Sequence, residues 1–405
     1  MTLPARVLIV AGEASGDLYG SLVMRAAAAR PSPSEPPLLF TGIGGPSMRS
    51  AGLPDLIGAE GLGVTGFLEV LGSAAHIWRA YRRVCSLVAS ATERPDLVLL
   101  IDYPDFNLRV AKHAHRAGIP VLYFISPQVW AWRKGRVGQI AGVVDRMLVI
   151  LPFEEEIYRR AGVPVEFVGH PLLDIVRPEL TRRQALAPLG LEPDRRTVAL
   201  LPGSRRNELH ALLPVLVEAA RLLRKEFRDL QFVVPVAPTI TDAEVDRYLG
   251  RSGLRGPDTE RGESMTGWAW ARDHRYDVIA ACDAAVVASG TATLETALLG
   301  VPMVIVYRVN PLTYALARIV SRVPHIGMPN LIAGQRIAPE LVQNECRPER
   351  VAAEIRRILT EPQVADSMRR SWSGVRSRLG RPGAIERVAA AAWDMIEARR
   401  SPRVD

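Results

Sequence analysis

No run of about 18 uncharged apolar residues occurs in this 405-residue chain, so no membrane-spanning helix is expected. Met1 to Arg6 leads straight into an apolar strand pattern and lacks the regions of a secretory leader, so a cytoplasmic protein is expected. Cysteine is scarce. Cys85, Cys282 and Cys346 lie too far apart for a disulfide framework or a metal site, and all are expected as buried small hydrophobes. Aromatic residues make up 6%, too few for stacking platforms, and no nucleic-acid module is recognisable. The glycine-rich turn after the first strand pattern, Gly12 to Asp17, is not GxGxxG, so a dinucleotide is poorly supported there. No repeat of solenoid period appears, and the low-complexity tract is confined to Pro31 to Pro37. Lysine is nearly missing: Lys112, Lys134 and Lys225 are the only ones among 51 basic residues.

The net charge of +8 is therefore carried by arginine, which grips phosphate bidentately. Such charge suits an anionic membrane surface, nucleic acid or a phosphorylated substrate. Scattered arginines are read as compositional habit, clustered ones as candidate sites. The chain is 48% hydrophobic and 23% charged, a globular balance with enough length for two α/β domains.

Apolar strand patterns alternate with helical ones from Arg6 to Val168, as in a parallel-sheet domain. The strands are expected at Arg6–Ala11, Leu38–Ile43, Pro95–Ile101, Val121–Ile125, Asp145–Leu151 and Val165–Val168. A connector, Arg177 to Arg195, precedes a second series at Thr197–Leu201, Phe232–Val236, Asp283–Ala288 and Met303–Tyr307, with one weak strand in Pro257–Asp273. From about Pro348 the pattern is helical, with a break near Gly380 to Gly383.

Ligand chemistry is expected where strands end. Gly12-Glu-Ala-Ser-Gly-Asp17 separates the first strand from a helix beginning near Leu18, and Gly42 to Gly45 is a second glycine-rich loop. Asp102 directly follows a strand, and Asp105 lies three residues on; the pair can supply a general base and an orienting partner. Asp105 or Asn107 can instead cap the following helix. His170 fits a catalytic role less well than a structural one at a domain joint. In the second series, Pro202-Gly-Ser-Arg205-Arg206 is a Gly/Ser turn with arginine. Ala284 to Gly300 reads as strand, Ser289-Gly290-Thr291 turn and helix, with Ser289 or Thr291 as cap. A helix N-terminus there can hold a phosphate, Arg205 can reach a pyrophosphate, and Glu295 one turn in suits ribose hydroxyls. His325 to Asn330 is expected as a loop at the crevice edge.

Two stretches suit a membrane surface. Gly61 to Leu71 is apolar and glycine-spaced, with Phe67, Leu68 and Leu71, and passes into a helix over Ala74–Ala89 bearing Arg79, Arg82 and Arg83. A core helix with a solvated basic face fits the pattern equally. Trp130 and Trp132 beside Arg133, Lys134 and Arg136 suit a membrane-interface anchor or a loop over a substrate.

Seven motifs in order carry a resemblance: Val10-Ala-Gly-Glu-Ala-Ser-Gly-Asp17, Ile101-Asp-Tyr-Pro-Asp-Phe-Asn107, Ser126-Pro-Gln-Val-Trp-Ala-Trp132, Val168-Gly-His-Pro171, Leu201-Pro-Gly-Ser-Arg205, Ala288-Ser-Gly-Thr-Ala-Thr-Leu-Glu295 and Met328-Pro-Asn330. Together they resemble the lipid-A-disaccharide synthase family. The resemblance implies a GT-B fold, two Rossmann-like parallel-sheet α/β domains facing across a crevice. Residues 1–172 would form the acceptor and catalytic domain, joined by a C-terminal helix at about 380–405, and 173–379 the UDP-sugar domain. It implies inverting transfer from UDP-2,3-diacylglucosamine to 2,3-diacylglucosamine 1-phosphate, giving a β-1,6-linked disaccharide and UDP, on the cytoplasmic face of the inner membrane. Asp102 takes the position of the general base. Arg205, Ser289, Gly290, Thr291, Glu295 and Asn330 take positions at the donor. Ser15, Gly16 and Asp17 lie near the reacting sugars. No role carries over to Glu208. The expected partners are the two lipid substrates and the anionic inner-membrane surface, with no nucleic acid; a homodimer stays open. No cofactor and no metal is expected, since an Asp-x-Asp pair is missing from the donor region. The rival readings are a related UDP-sugar epimerase or undecaprenyl-linked transferase, and a basic protein that binds nucleic acid or membrane.

Overall fold

The computed structural model describes residues 4–29, 37–54, 67–127, 135–237, 240–241, 243–244, 267–310, 314 and 324–400, with the backbone alone over 67–74. The chain divides into two compact units. The N-terminal unit comprises residues 1–174 and 379–405, and the C-terminal unit residues 175–378.

In the N-terminal unit, strands β1 (Ala5–Ala11), β2 (Leu38–Ile43), β3 (Leu97–Ile101), β4 (Val121–Phe124), β5 (Arg146–Val149) and β6 (Val165–Phe167) form a parallel sheet in the order β2-β1-β3-β4-β5-β6. Every residue of β3 and β4 is buried, because helices cover both faces of a parallel sheet. That is why the central strands read as unbroken apolar runs. On one face, Leu8, Val98 and Leu100 meet Val110, Ala111 and Ala114 of the helix Pro104–Arg116 and Ala80, Val84 and Val88 of the helix Phe67–Ala89. Each fully buried Val or Leu side chain here contributes about 1.5–3 kcal/mol of transfer free energy. The spacing of Ala80, Val84 and Val88 is that of one helical face, and Trp78, Arg79, Arg82 and Arg83 are left exposed.

The helix Ala384–Arg400 packs on the helix Ala14–Ala28 and on β3, so the last part of the chain completes the first unit. The return depends on a close approach. Gly169 and Gly380 have φ of 80° and 86°, and a Cβ on Gly380 would lie 3.1 Å from the Gly169 Cα. His170 N–H donates to the Leu379 carbonyl at 2.9 Å. The Asp174 carboxylate accepts from Gly383 N–H at 2.6 Å and Ile385 N–H at 3.3 Å, ordering the start of the final helix.

The C-terminal unit holds β7 (Thr197–Leu201), β8 (Gln231–Pro235), β9 (Trp268–Ala271), β10 (Ala284–Ala288), β11 (Met303–Tyr307) and β12 (Glu340–Val342), again parallel, in the order β12-β11-β10-β7-β8-β9. Each sheet therefore has one topological switch point, between β1 and β3 in one unit and between β7 and β10 in the other. In open parallel sheets ligands bind outside the carboxyl ends of the strands at such a point.

Several boundaries differ from expectation. The first helix begins at Ala14, so Ser15, Gly16 and Asp17 lie inside it. The basic helix begins at Phe67, which puts Phe67, Leu68 and Leu71 in helix rather than loop. Met328–Ala333 is a short helix, not a loop, and Asn330 lies within it. Cys282 and Cys346 are buried, but Cys85 is only half-buried on the helix flank. Among the described residues no helix is long and apolar enough to cross a membrane.

Candidate functional site

At the switch point of the N-terminal unit, β3 ends in a backbone that side chains resist. Asp102 and Tyr103 have φ of 47° and 48°, and Ile125, at the end of the neighbouring β4, has φ of 64°. Left-handed geometry costs an L-residue about 1–2 kcal/mol, and such strain gathers where function requires it. Asp102 N–H still joins the sheet, donating to Phe124 O at 3.0 Å. Its carbonyl accepts from the Tyr123 hydroxyl and from Asn107 Nδ2, both at 2.7 Å. Gly12, at the end of β1, is required by the same turn: a Cβ there would lie 2.5 Å from the Tyr103 ring. Tyr103 in turn stacks on Phe106 with ring centroids 5.6 Å apart. Asp102 is partly exposed.

The other acids here do different work. Asp17 is 5% exposed, and its carboxylate accepts from the backbone N–H groups of Gly45, Ser47 and Met48 at 2.7, 2.9 and 3.0 Å. It anchors the start of the helix Pro46–Ser50. Gly45 has no side chain because a Cβ would lie 2.7 Å from that carboxylate. Asp105 is exposed and pairs with Arg136. It does not cap the helix Pro104–Arg116, and neither does Asn107, whose amide reaches back to Ile101 and Asp102. Ser15 is half-buried at the start of its helix. His170 is buried, and its Nδ1 accepts from Leu172 N–H at 3.2 Å. Burial drives its pKa from 6.5 down to about 3, so it stays neutral and structural.

In the C-terminal unit, the Ser289-Gly290-Thr291 turn follows β10. Neither Ser289 nor Thr291 caps the helix Thr291–Leu298. Ser289 Oγ donates instead to the Ile326 carbonyl at 2.7 Å. Gly290 has φ 148°, and among the described residues a Cβ on it would meet nothing within 4 Å. The helix thus presents its first amides without a side-chain cap beside open space, a terminus suited to an anion. One turn in, Glu295 is 6% exposed, and its Oε1 accepts from Arg275 at 2.8 Å and from the Tyr276 hydroxyl at 3.2 Å. Burial first, then the Glu295 charge, pushes the Tyr276 hydroxyl up to about 12, so it remains a donor.

At the end of β7, Arg205 precedes the helix Arg206–Glu226, half-exposed and 3.4 Å from Glu208. Glu208 accepts from the backbone N–H of Ser204 at 3.2 Å and Arg205 at 3.4 Å, and it fills the space beside Gly203, whose φ is 111°. Sequence reasoning gave Glu208 no role; its position three residues after Arg205 is the spacing of a capping box, which was the available signal. Asn330 is fully buried and engaged at both ends. Its Nδ2 donates to Ala338 O and Glu340 Oε1 at 2.9 and 2.8 Å, and its Oδ1 accepts from Ile337 and Ala338 N–H at 2.8 and 2.9 Å. It holds structure, with Glu340, which also accepts from Ile326 and Gly327 N–H. Ile326 is therefore fixed from both sides, next to Ser289. Arg275, Tyr276 and Glu340 carried no motif and were not anticipated.

The side chains of Phe67, Leu68 and Leu71 lie outside the described residues, as do Trp130 and Trp132. Among the described residues no three His, Cys, Asp or Glu side chains gather to hold a metal ion.

One switch point thus carries a partly exposed carboxylate, and the other a helix end without a side-chain cap. Solved structures share the architecture at low identity. UDP-GlcNAc 2-epimerase from Neisseria meningitidis, bound to UDP-GlcNAc, superposes with a TM-score of 0.62 at 10% identity, covering 97% of this chain and 100% of that one. The kitacinnamycin glycotransferase gives 0.59 at 18% identity, covering 98% and 100%. They establish two Rossmann-like domains of the GT-B class. At the sequence level, lipid-A-disaccharide synthase of Geobacter metallireducens is 50% identical over 395 residues, 98% of each chain. Residues 7–378, which hold both switch points, match the family model described as lipid-A-disaccharide synthetase, and the chain belongs to that family.

Proposed function

We propose that this protein is a lipid-A-disaccharide synthase, an inverting glycosyltransferase that joins UDP-2,3-diacylglucosamine to 2,3-diacylglucosamine 1-phosphate through a β-1,6 link and releases UDP. The observation that carries the reading is the helix Thr291–Leu298, which begins without a side-chain cap beside Gly290 and holds buried Glu295 one turn in. Its terminus receives the diphosphate, Glu295 the ribose hydroxyls, and Arg205 the charge that develops as UDP departs. Asn330 keeps the neighbouring loop in place. In the N-terminal unit, Asp102 takes the proton of the acceptor hydroxyl as its oxygen attacks the anomeric carbon from the face opposite UDP. The bond to the diphosphate breaks with its electron pair leaving on UDP. Ser15 lies on the sugar side of this unit. The transfer uses no metal.

Mass spectrometry of the product from the two acylated glucosamines tests this directly. A disaccharide 1-phosphate is expected, with UDP release that requires the acceptor and persists in EDTA. UDP release or sugar isomerisation without acceptor would favour an epimerase instead. Asp102→Ala is expected to lose most turnover, on the order of 100-fold or more, while UDP affinity survives.

We further propose that the enzyme works at the cytoplasmic face of the inner membrane. Trp78 is 58% exposed, beside exposed Arg79, Arg82 and Arg83, and the Arg82 guanidinium sits 4.9 Å over the Trp78 ring. Aromatic and basic side chains on one helix suit an anionic interface. Replacing the three arginines by glutamine should reduce flotation with anionic vesicles; unchanged flotation would count against this face.

A further inference from the structure

Two buried polar side chains converge on one backbone atom of the residue assigned as base. Tyr123 and Asn107 are both fully buried, one on β4 and the other in the first turns of the helix Pro104–Arg116. The Tyr123 hydroxyl and Asn107 Nδ2 each donate to the Asp102 carbonyl at 2.7 Å, and Nδ2 also donates to Ile101 O at 3.1 Å. Among the described residues Asn107 Oδ1 is buried with no hydrogen-bond partner, so this amide bears the cost of an orphaned acceptor while serving those two carbonyls. Asp102 and Tyr103 hold consecutive left-handed conformations at this point. A left-handed pair of non-glycine residues persists only where its surroundings over-determine it. Burial also raises the Tyr123 pKa well above the ordinary range, which keeps the hydroxyl protonated as a donor.

We propose that Tyr123 and Asn107 are positioning residues for catalysis: they clamp the Asp102 carbonyl and so fix the backbone geometry that aims the Asp102 carboxylate. This rests on the reading of Asp102 as general base. Neither residue touches substrate in this scheme. Their effect runs through the backbone, which sets the distance between carboxylate and acceptor hydroxyl, and a misplacement of about 1 Å can cost on the order of 100-fold.

The test uses the full-length enzyme with Tyr123→Phe, which keeps the ring and removes one donor. Asn107→Ser is the second variant, and Asp102→Asn is the background. Turnover, KM, UDP affinity and melting temperature are measured for each. Tyr123→Phe is expected to lower kcat about 10-fold, with UDP affinity unchanged and the acid limb of the pH profile in place. In the Asp102→Asn background the same substitution should lower kcat no further, because aiming a missing base has no value. A purely structural role would lower turnover by a similar factor in both backgrounds, and that result overturns the proposal. So does wild-type kcat in both Tyr123→Phe and Asn107→Ser. Full turnover in Asp102→Asn alone would instead overturn the base assignment, and the clamp's catalytic role with it.

Discussion

His170 is surrounded so completely that its imidazole pKa falls from 6.5 to about 3. The folded state therefore refuses a proton that the unfolded chain accepts below pH 6.5. The stability this histidine contributes is complete above pH 6.5 and is lost as pH falls toward 3, at about 1.4 kcal/mol per pH unit. His170→Asn keeps an acceptor near Leu172 N–H and removes the titration. Its unfolding free energy should lose one proton's worth of slope between pH 6 and 4, while activity at pH 8 stays near wild type. An unchanged slope would disprove the assignment. Single residues were the least legible in the sequence. In the sequence, Asp17 and Asp102 both stand in glycine- or proline-marked stretches shortly after a strand pattern. What separates them is that the Asp17 carboxylate is bound by amides 28 to 31 residues away, a relation no local pattern records.

The strand-turn-helix at Ala284–Leu298 shows what an element can disclose. The buried strand was plain because both its faces are covered, and the glycine turn was plain from its spelling. The cap was misread: Ser289 is a good capping residue by type, but its hydroxyl reaches Ile326, 37 positions on. The same folding that removed the expected cap left the helix end open. Gly290→Ala tests the consequence. Among the described residues the added methyl meets nothing within 4 Å, so its cost to folding there is backbone strain of about 1–3 kcal/mol. UDP affinity should fall by about 10-fold or more, measured by calorimetry, as the methyl enters the path of the anion. Undiminished affinity would remove this helix end from the nucleotide site. Strained residues also belong to this scale: those at Asp102, Tyr103 and Ile125 cluster on adjacent strand ends.

At the scale of the whole molecule, the two alternating series were readable because each domain repeats strand and helix. The late return of the chain was implied by the family resemblance and marked in the local pattern only by a glycine break near Gly380. Its partner, Gly169, lies some two hundred residues earlier. Truncation after Arg378 removes the helix Ala384–Arg400 from the N-terminal unit and leaves the C-terminal unit intact. Calorimetry should then show the C-terminal transition retained and the N-terminal one lost or lowered by well over 10 °C. Two unaltered transitions would contradict the division. The return also imposes a schedule on biosynthesis. Synthesis runs at about 5–20 residues per second, so the N-terminal unit waits roughly 10–40 s for its last helix while residues 175–378 are made. During that interval the helix Ala14–Ala28 has no covering partner from Ala384–Arg400. The first half of this protein is thus the last to finish folding.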